Sequence, residues 1–121
     1  MNLIWIVADT FRRDHIGAYG NTTIKTPSLD ALAARSTRFD RHYAAGFPTM
    51  PARADHATGR WTMSFMGWEA LPEGVTTLAE ILASRGFHTV ASVDTPYYLR
   101  DGMNYDLGFH SFFVHPGQDT Q

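Results

Sequence analysis

Cysteine is absent from the 121 residues, which excludes a disulfide framework and a thiolate metal cluster. That absence is compatible with the cytoplasm. A basic excess is missing too: ten Lys and Arg stand against twelve Asp and Glu, for a net charge of −2. The chain therefore lacks the positive footprint by which nucleic acid or an anionic membrane surface is bound, and any anion must be held locally. No apolar run approaches the roughly 20 residues that span a bilayer. The opening Met1-Asn2-Leu3-Ile4-Trp5-Ile6-Val7 has no basic leader and soon meets Asp9, which argues against a signal peptide. The six histidines are scattered without a His-Glu-x-x-His spacing, and neither a repeat nor a low-complexity segment is present. The expectation is a soluble, untargeted, cytoplasmic chain with no nucleic-acid or membrane partner.

What is present is enough apolar material for a core, 44% of residues, in a length that fits one domain spanning 1–121. Residues 3–7 form a continuous run rich in β-branched and aromatic side chains, the pattern of a strand buried on both faces of a parallel sheet. Asp9 follows at its carboxyl end, where open α/β sheets gather ligands; it reads either as a metal ligand or as a turn or capping aspartate. Arg12-Arg13-Asp14-His15 reads as solvated surface, with His15 able to touch a substrate, and Gly20-Asn21 marks a turn. Thr26 as cap, Pro27 in the first turn and Leu29, Leu32 and Ala33 on one face predict a helix. Residues 36–43 alternate loosely and predict a second strand with Phe39 and Tyr43 inward.

Further on, residues 61–68 are aromatic and methionine-rich without a clean period, which suits packing or a pocket wall. Thr77-Leu78-Ala79-Glu80 is a capping-box pattern that opens a helix through Ile81 and Leu82, stopped by Gly86. Residues 87–93 predict the next buried strand. Turns are expected at 94–98 and at Arg100-Asp101-Gly102, an apolar patch at 108–113, and a frayed end at 118–121. Helix followed by strand over short connections is the rhythm of a parallel α/β sheet flanked by helices.

The chemistry concentrates in Thr49-Met50-Pro51-Ala52-Arg53, with Gly59-Arg60 closing the segment. Pro51 suits a first helical turn, Thr49 a cap, and Gly59 a stop. Thr49 then stands where unpaired amides and the helix dipole favour an anion, and Arg53 lies one turn further on the same face. Helical side chains lean toward the N-terminus, so Arg53 can reach the Thr49 oxygen. The arrangement is either a site for attack on a sulfate or phosphate ester or an ordinary capped helix with a surface arginine.

Taken together the segments resemble the N-terminal part of the sulfatase family, within the alkaline phosphatase superfamily. The resemblance runs from Asn2-Leu3-Ile4 and Asp9 through His15-Ile16-Gly17-Ala18-Tyr19-Gly20-Asn21 and Ile24-Lys25-Thr26-Pro27-Ser28-Leu29-Asp30-Ala31-Leu32-Ala33 to Thr49-x-Pro51-x-Arg53 and Thr58-Gly59-Arg60. It continues in Thr76-Thr77-Leu78-Ala79-Glu80, Gly86-Phe87-His88-Thr89-Val90 and Gly108-Phe109. It implies an α/β sandwich, apparently truncated here, with a divalent ion at the carboxyl edge of the sheet. Calcium is the family's usual ion, with manganese, magnesium or zinc as alternatives. Asp9 matches a metal-binding aspartate, Thr49 the nucleophile position and a metal contact, and Arg53 the arginine that steadies nucleophile and substrate.

Three departures from the family pattern shape the reading. Sulfatases carry Cys or Ser where Thr49 stands and oxidise it to formylglycine, whereas Thr resembles the direct hydroxyl nucleophile of related phosphatases, phosphodiesterases and phosphotransferases. Thr10 replaces a second aspartate, and Ser92-Val93-Asp94-Thr95-Pro96 replaces a lysine-and-histidine segment. The implied activity is metal-dependent hydrolysis of a small-molecule sulfate, phosphate or phosphonate ester. The competing expectation is a catalytically incomplete fragment or non-catalytic module that binds an anion or a partner protein. In either case an exposed sheet edge would favour a homo-oligomer or other association.

Overall fold

In the computed structural model, which describes residues 1–99 and 101–117, the chain separates into two units, Met1–Tyr43 and Ala44–Gln121. The Arg100 part of one predicted turn and the predicted frayed end at 118–121 lie outside the described residues.

In the first unit helix α1 spans Pro27–Ala33, with Thr26 at its N-cap as predicted. The Thr26 hydroxyl does not cap the helix amides. It accepts from the Gly17 amide at 2.8 Å and donates to Asp30 Oδ1 at 3.1 Å, while the Ala18 amide donates to the same oxygen at 2.7 Å. These bonds fasten the first turn of α1 to a 3₁₀ turn at Gly17–Tyr19. The approach is so close that a Cβ on Gly17 would sit 2.8 Å from Asp30 Oδ1. Asn21 builds the predicted turn, its side-chain oxygen accepting from the amides of Thr23 and Ile24 at 2.9 and 2.6 Å.

Both strands predicted in this unit are corrected. Residues 3–7 belong to no helix or strand and are between 51% and 83% exposed. A continuous apolar run specifies only that burial is favourable; a strand also needs a ladder, and the sheet among the described residues is built from residues 90–93 and 111–114. Residues 36–43 form no strand either, and Phe39 and Tyr43 are exposed. That segment is committed to charge contacts instead. Arg38 donates to Asp40 at 2.8 Å and to the Ala18 carbonyl, and the guanidinium groups of Arg13 and Arg38 lie 4.6 and 5.2 Å from the Tyr19 ring centre.

The second unit holds α2 (Thr49–Thr58), α3 (Leu78–Ser84), β1 (Val90–Val93), α4 (Pro96–Leu99) and β2 (Ser111–Val114). The two strands pair in parallel, Val90 opposite Ser111 through Val93 opposite Val114, so the predicted parallel α/β arrangement is present as a two-stranded sheet among the described residues. The chain between them must cross over, and the predicted turn at 94–98 is in fact the helix α4 within that crossover. Of the predicted strand at 87–93 only the second half joins the ladder. The first half is spoken for: α3 ends in a Schellman motif in which Phe87 N–H reaches Leu82 O at 3.1 Å and Gly86 N–H reaches Ala83 O at 2.9 Å.

The start of α3 is the predicted capping box. Thr77 Oγ1 accepts from the Glu80 amide at 3.1 Å, and the Thr77 amide donates to the Glu80 carboxylate at 2.8 Å. The same hydroxyl donates to Leu107 O at 3.0 Å, which ties α3 to the loop entering β2. The core gathers Met50 and Ala54 of α2 with Met66, Leu71, Leu99 and Tyr105. Of the aromatic stretch 61–68 only Thr62 and Met66 are buried, whereas Trp61, Met63, Phe65 and Trp68 face solvent.

Candidate active site

Helix α2 begins one step earlier than its residues predict. Pro48 is the N-cap, joined to Phe47 by a cis peptide, and Thr49 is the first helical residue. Thr49 is therefore not the cap, because Pro48 O already accepts the first intrahelical bond, from the Ala52 amide at 3.1 Å. Gly59 ends the helix as expected, in the left-handed conformation at φ 65° with its amide on Asp55 O. Thr49 and Arg53, both half-buried, stand one turn apart on a helix of ten residues, with Thr49 at the end where free amides and the dipole favour negative charge.

Side chains outside the predicted set hold that end in place. Asp55 Oδ1 accepts from the Thr62 amide at 2.8 Å and from the Thr62 hydroxyl at 2.6 Å. The same hydroxyl lies 3.2 Å from Pro51 O, a weaker branch since the group has one proton to give. Gly46 packs on the other side, where a Cβ would stand 2.7 Å from Asp55 Oδ2 and 2.8 Å from the Pro51 carbonyl. Tyr105 reaches up from the core, its hydroxyl 3.4 Å from Met50 O. Burial pushes the Tyr105 hydroxyl up to about 12; the Arg53 charge pulls against that rise and the Asp55 charge adds to it. Residue pattern alone missed these groups. The available signal was a carboxylate at 55 beside the inward-facing Ala54 on a helix whose core face is small and apolar.

Asp9 lies in the first unit, exposed, with Oδ1 accepting from the Thr10 hydroxyl at 3.1 Å. Thr10 has φ 60°, a left-handed conformation that a β-branched residue adopts at a cost on the order of 1–3 kcal/mol. His15 is half-buried in the 3₁₀ turn Arg13–His15. Arg12 grips Asp14 through two bonds of 2.9 and 2.6 Å, which lowers the Asp14 carboxyl and raises Arg12. An open groove of about 880 Å³ in this unit runs past Ala18, Lys25, Pro27 and Arg38 and contains no predicted site residue. Among the described residues no three metal-binding side chains cluster, and no helix is long and apolar enough to cross a membrane.

The Sulfatase family model matches residues 1–121. Arylsulfatase D of Homo sapiens is 35% identical over 102 residues, covering 73% of this chain and 17% of that protein. Steryl-sulfatase of Homo sapiens is 31% identical over 102 residues, with 73% and 18% covered. An arylsulfatase of Clostridium perfringens (strain 13 / Type A) is 30% identical over 123 aligned residues, with 96% of this chain and 24% of that protein covered. The chain thus spans a quarter or less of the length of these curated relatives. No solved structure gives a significant match. The family model matches every residue of the chain, and that match leads to one conclusion: the chain belongs to the sulfatase family.

Proposed function

We propose that this chain carries the nucleophile segment of a sulfatase-type hydrolase of sulfuric, phosphoric or phosphonic esters. The observation that carries the reading is Thr49 as first residue of α2 with Arg53 one turn on. The Thr49 oxygen attacks sulfur or phosphorus, the bond to the leaving oxygen breaks, and the hydroxyl proton ends on the departing alcohol. Water then cleaves the Thr49 ester and restores the hydroxyl. Arg53 and the α2 amides offset the charge that develops on the non-bridging oxygens. The family's relatives favour sulfate esters, while an unoxidised threonine favours phosphate or phosphonate, for which direct attack by a hydroxyl is the simpler route.

Asp9, in the first unit, and Thr49, in the second, are each a candidate oxygen donor to a divalent ion. They suit calcium, manganese, magnesium or zinc in kind, and a bound ion would polarise the ester and acidify the attacking hydroxyl. In number two donors fall short of the four that zinc takes and of the about six of calcium and magnesium, so this chain's residues alone carry no step through the ion.

The test is hydrolysis of an aryl sulfate, a phosphate monoester and a phosphodiester with each of the four ions, beside Thr49→Ala. Loss of the nucleophile is expected to lower kcat by on the order of 10⁴-fold or more. Turnover unchanged in Thr49→Ala overturns the assignment. A folded chain without turnover favours the other reading, a module that keeps the helix and binds an anion or a partner protein.

A further inference from the structure

We infer that Asp55 is a positioning residue for Thr49, a clamp that fixes the entry, first turn and exit of α2 from one carboxylate. The inference rests on Thr49 being the nucleophile. Three segments meet at this side chain. The exit loop is bound through the Thr62 amide and hydroxyl, at 2.8 and 2.6 Å. The first turn is reached through Thr62, whose hydroxyl also lies 3.2 Å from Pro51 O. The entry is pressed in at Gly46, which leaves no room for a Cβ between Asp55 Oδ2 and the Pro51 carbonyl. Thr49 lies between Gly46 and Pro51 in the chain, so its backbone is held on both sides.

The chemistry of the clamp argues against a bystander. Thr62 is fully buried, and its polar groups need an acceptor there. Asp55 Oδ2 is buried and accepts no hydrogen bond among the described residues, a penalty that an apolar side chain of similar size would avoid. Keeping a carboxylate rather than an apolar side chain is accounted for by what Oδ1 holds. Asp55 also places its charge two residues from Arg53, and both charges act on the Tyr105 hydroxyl beneath the first turn. A nucleophile displaced by about 1 Å loses on the order of 10²-fold in rate, so a clamp on this turn controls kcat more than binding.

The experiment compares Asp55→Ala, Asp55→Asn and Thr62→Val with Glu80→Ala, which breaks the capping box of α3 away from the site. Asp55→Ala is expected to lower kcat about 10- to 100-fold with KM within about twofold. Asp55→Asn restores most of that loss, because its amide oxygen still accepts from Thr62, and Thr62→Val, which keeps shape and loses the hydroxyl, falls between. Glu80→Ala lowers the melting temperature but leaves kcat and KM in place. Equal kinetic effects in Asp55→Ala and Glu80→Ala, or an unchanged kcat in Asp55→Ala, overturn the inference. If the wild-type chain turns over none of the three esters, the nucleophile reading fails by itself. The clamp is then decided by amide hydrogen exchange at Ala52 and Arg53. Exchange at least about tenfold faster in Asp55→Ala and slowed again in Asp55→Asn supports it, and unchanged exchange overturns it.

Discussion

Tyr105 shows how one residue records the electrostatics of the candidate site. Its hydroxyl is pushed up to about 12 from an ordinary 10, first by burial. The folded state therefore holds the proton more tightly than the unfolded chain, so the stabilisation is complete below pH 10 and is lost as pH rises from 10 to about 12. That rise corresponds to a loss on the order of 2–3 kcal/mol across that window. Denaturation measured at pH 9 and pH 12 should show this loss in the wild type and a smaller one in Tyr105→Phe. Thr49 and Arg53 were legible in the residue pattern because a proline, a glycine and an arginine at fixed offsets constrain a helix. Asp55, Thr62 and Gly46 were not, since their partners are 5 to 11 positions apart and meet only when the loops fold back.

At the scale of elements, local chemistry located α1, α2 and α3 but read α4 as a turn, and of the three predicted strands it located only the second half of the one at 87–93. Pro27, Thr77-x-x-Glu80 and the glycines at 59 and 86 act within one or two turns; α1 and α3 begin where they predict, and α2 begins one residue earlier. Thr77 carries more than its cap, since its hydroxyl also donates to Leu107 O. Thr77→Ala should thus cost about 1–2 kcal/mol in chemical denaturation, at the upper end for a cap. Glu80→Gln, which keeps the reciprocal bond, should cost less than half of that. A result in which both variants match wild type would mean the box contributes nothing to α3. Gly108 is fixed by the same corner: at φ 86° a Cβ would lie 2.6 Å from the Glu80 Cα, so only glycine fits. Strands carry no such local signal, because the ladder of Val90–Val93 is completed by residues some twenty positions later.

Across the whole molecule, apolar content does not coincide with core. Residues 3–7 are the most apolar stretch and are exposed, while Met50 and Ala54, on a helix of modest hydrophobicity, are fully buried. Met50→Ala should accordingly destabilise the second unit by about 2–5 kcal/mol. Ile4→Ser should stay within about 0.5 kcal/mol of wild type in the same denaturant titration, and a large loss at Ile4 would mean that the opening run is packed. The sequence by itself determined the family, three helices, the glycine stops of two of them, and the one-turn spacing of Thr49 and Arg53, because each depends on residues close in the chain or on order along it. Only the tertiary structure decided that Thr49 opens α2 rather than capping it, and which strands found partners. It alone decided that Asp55, Thr62, Gly46 and Tyr105 converge behind the first turn of α2. Those outcomes depend on contacts that close over distance, where hydrogen-bond partners and the space for a single Cβ select among patterns that short-range propensity leaves equal.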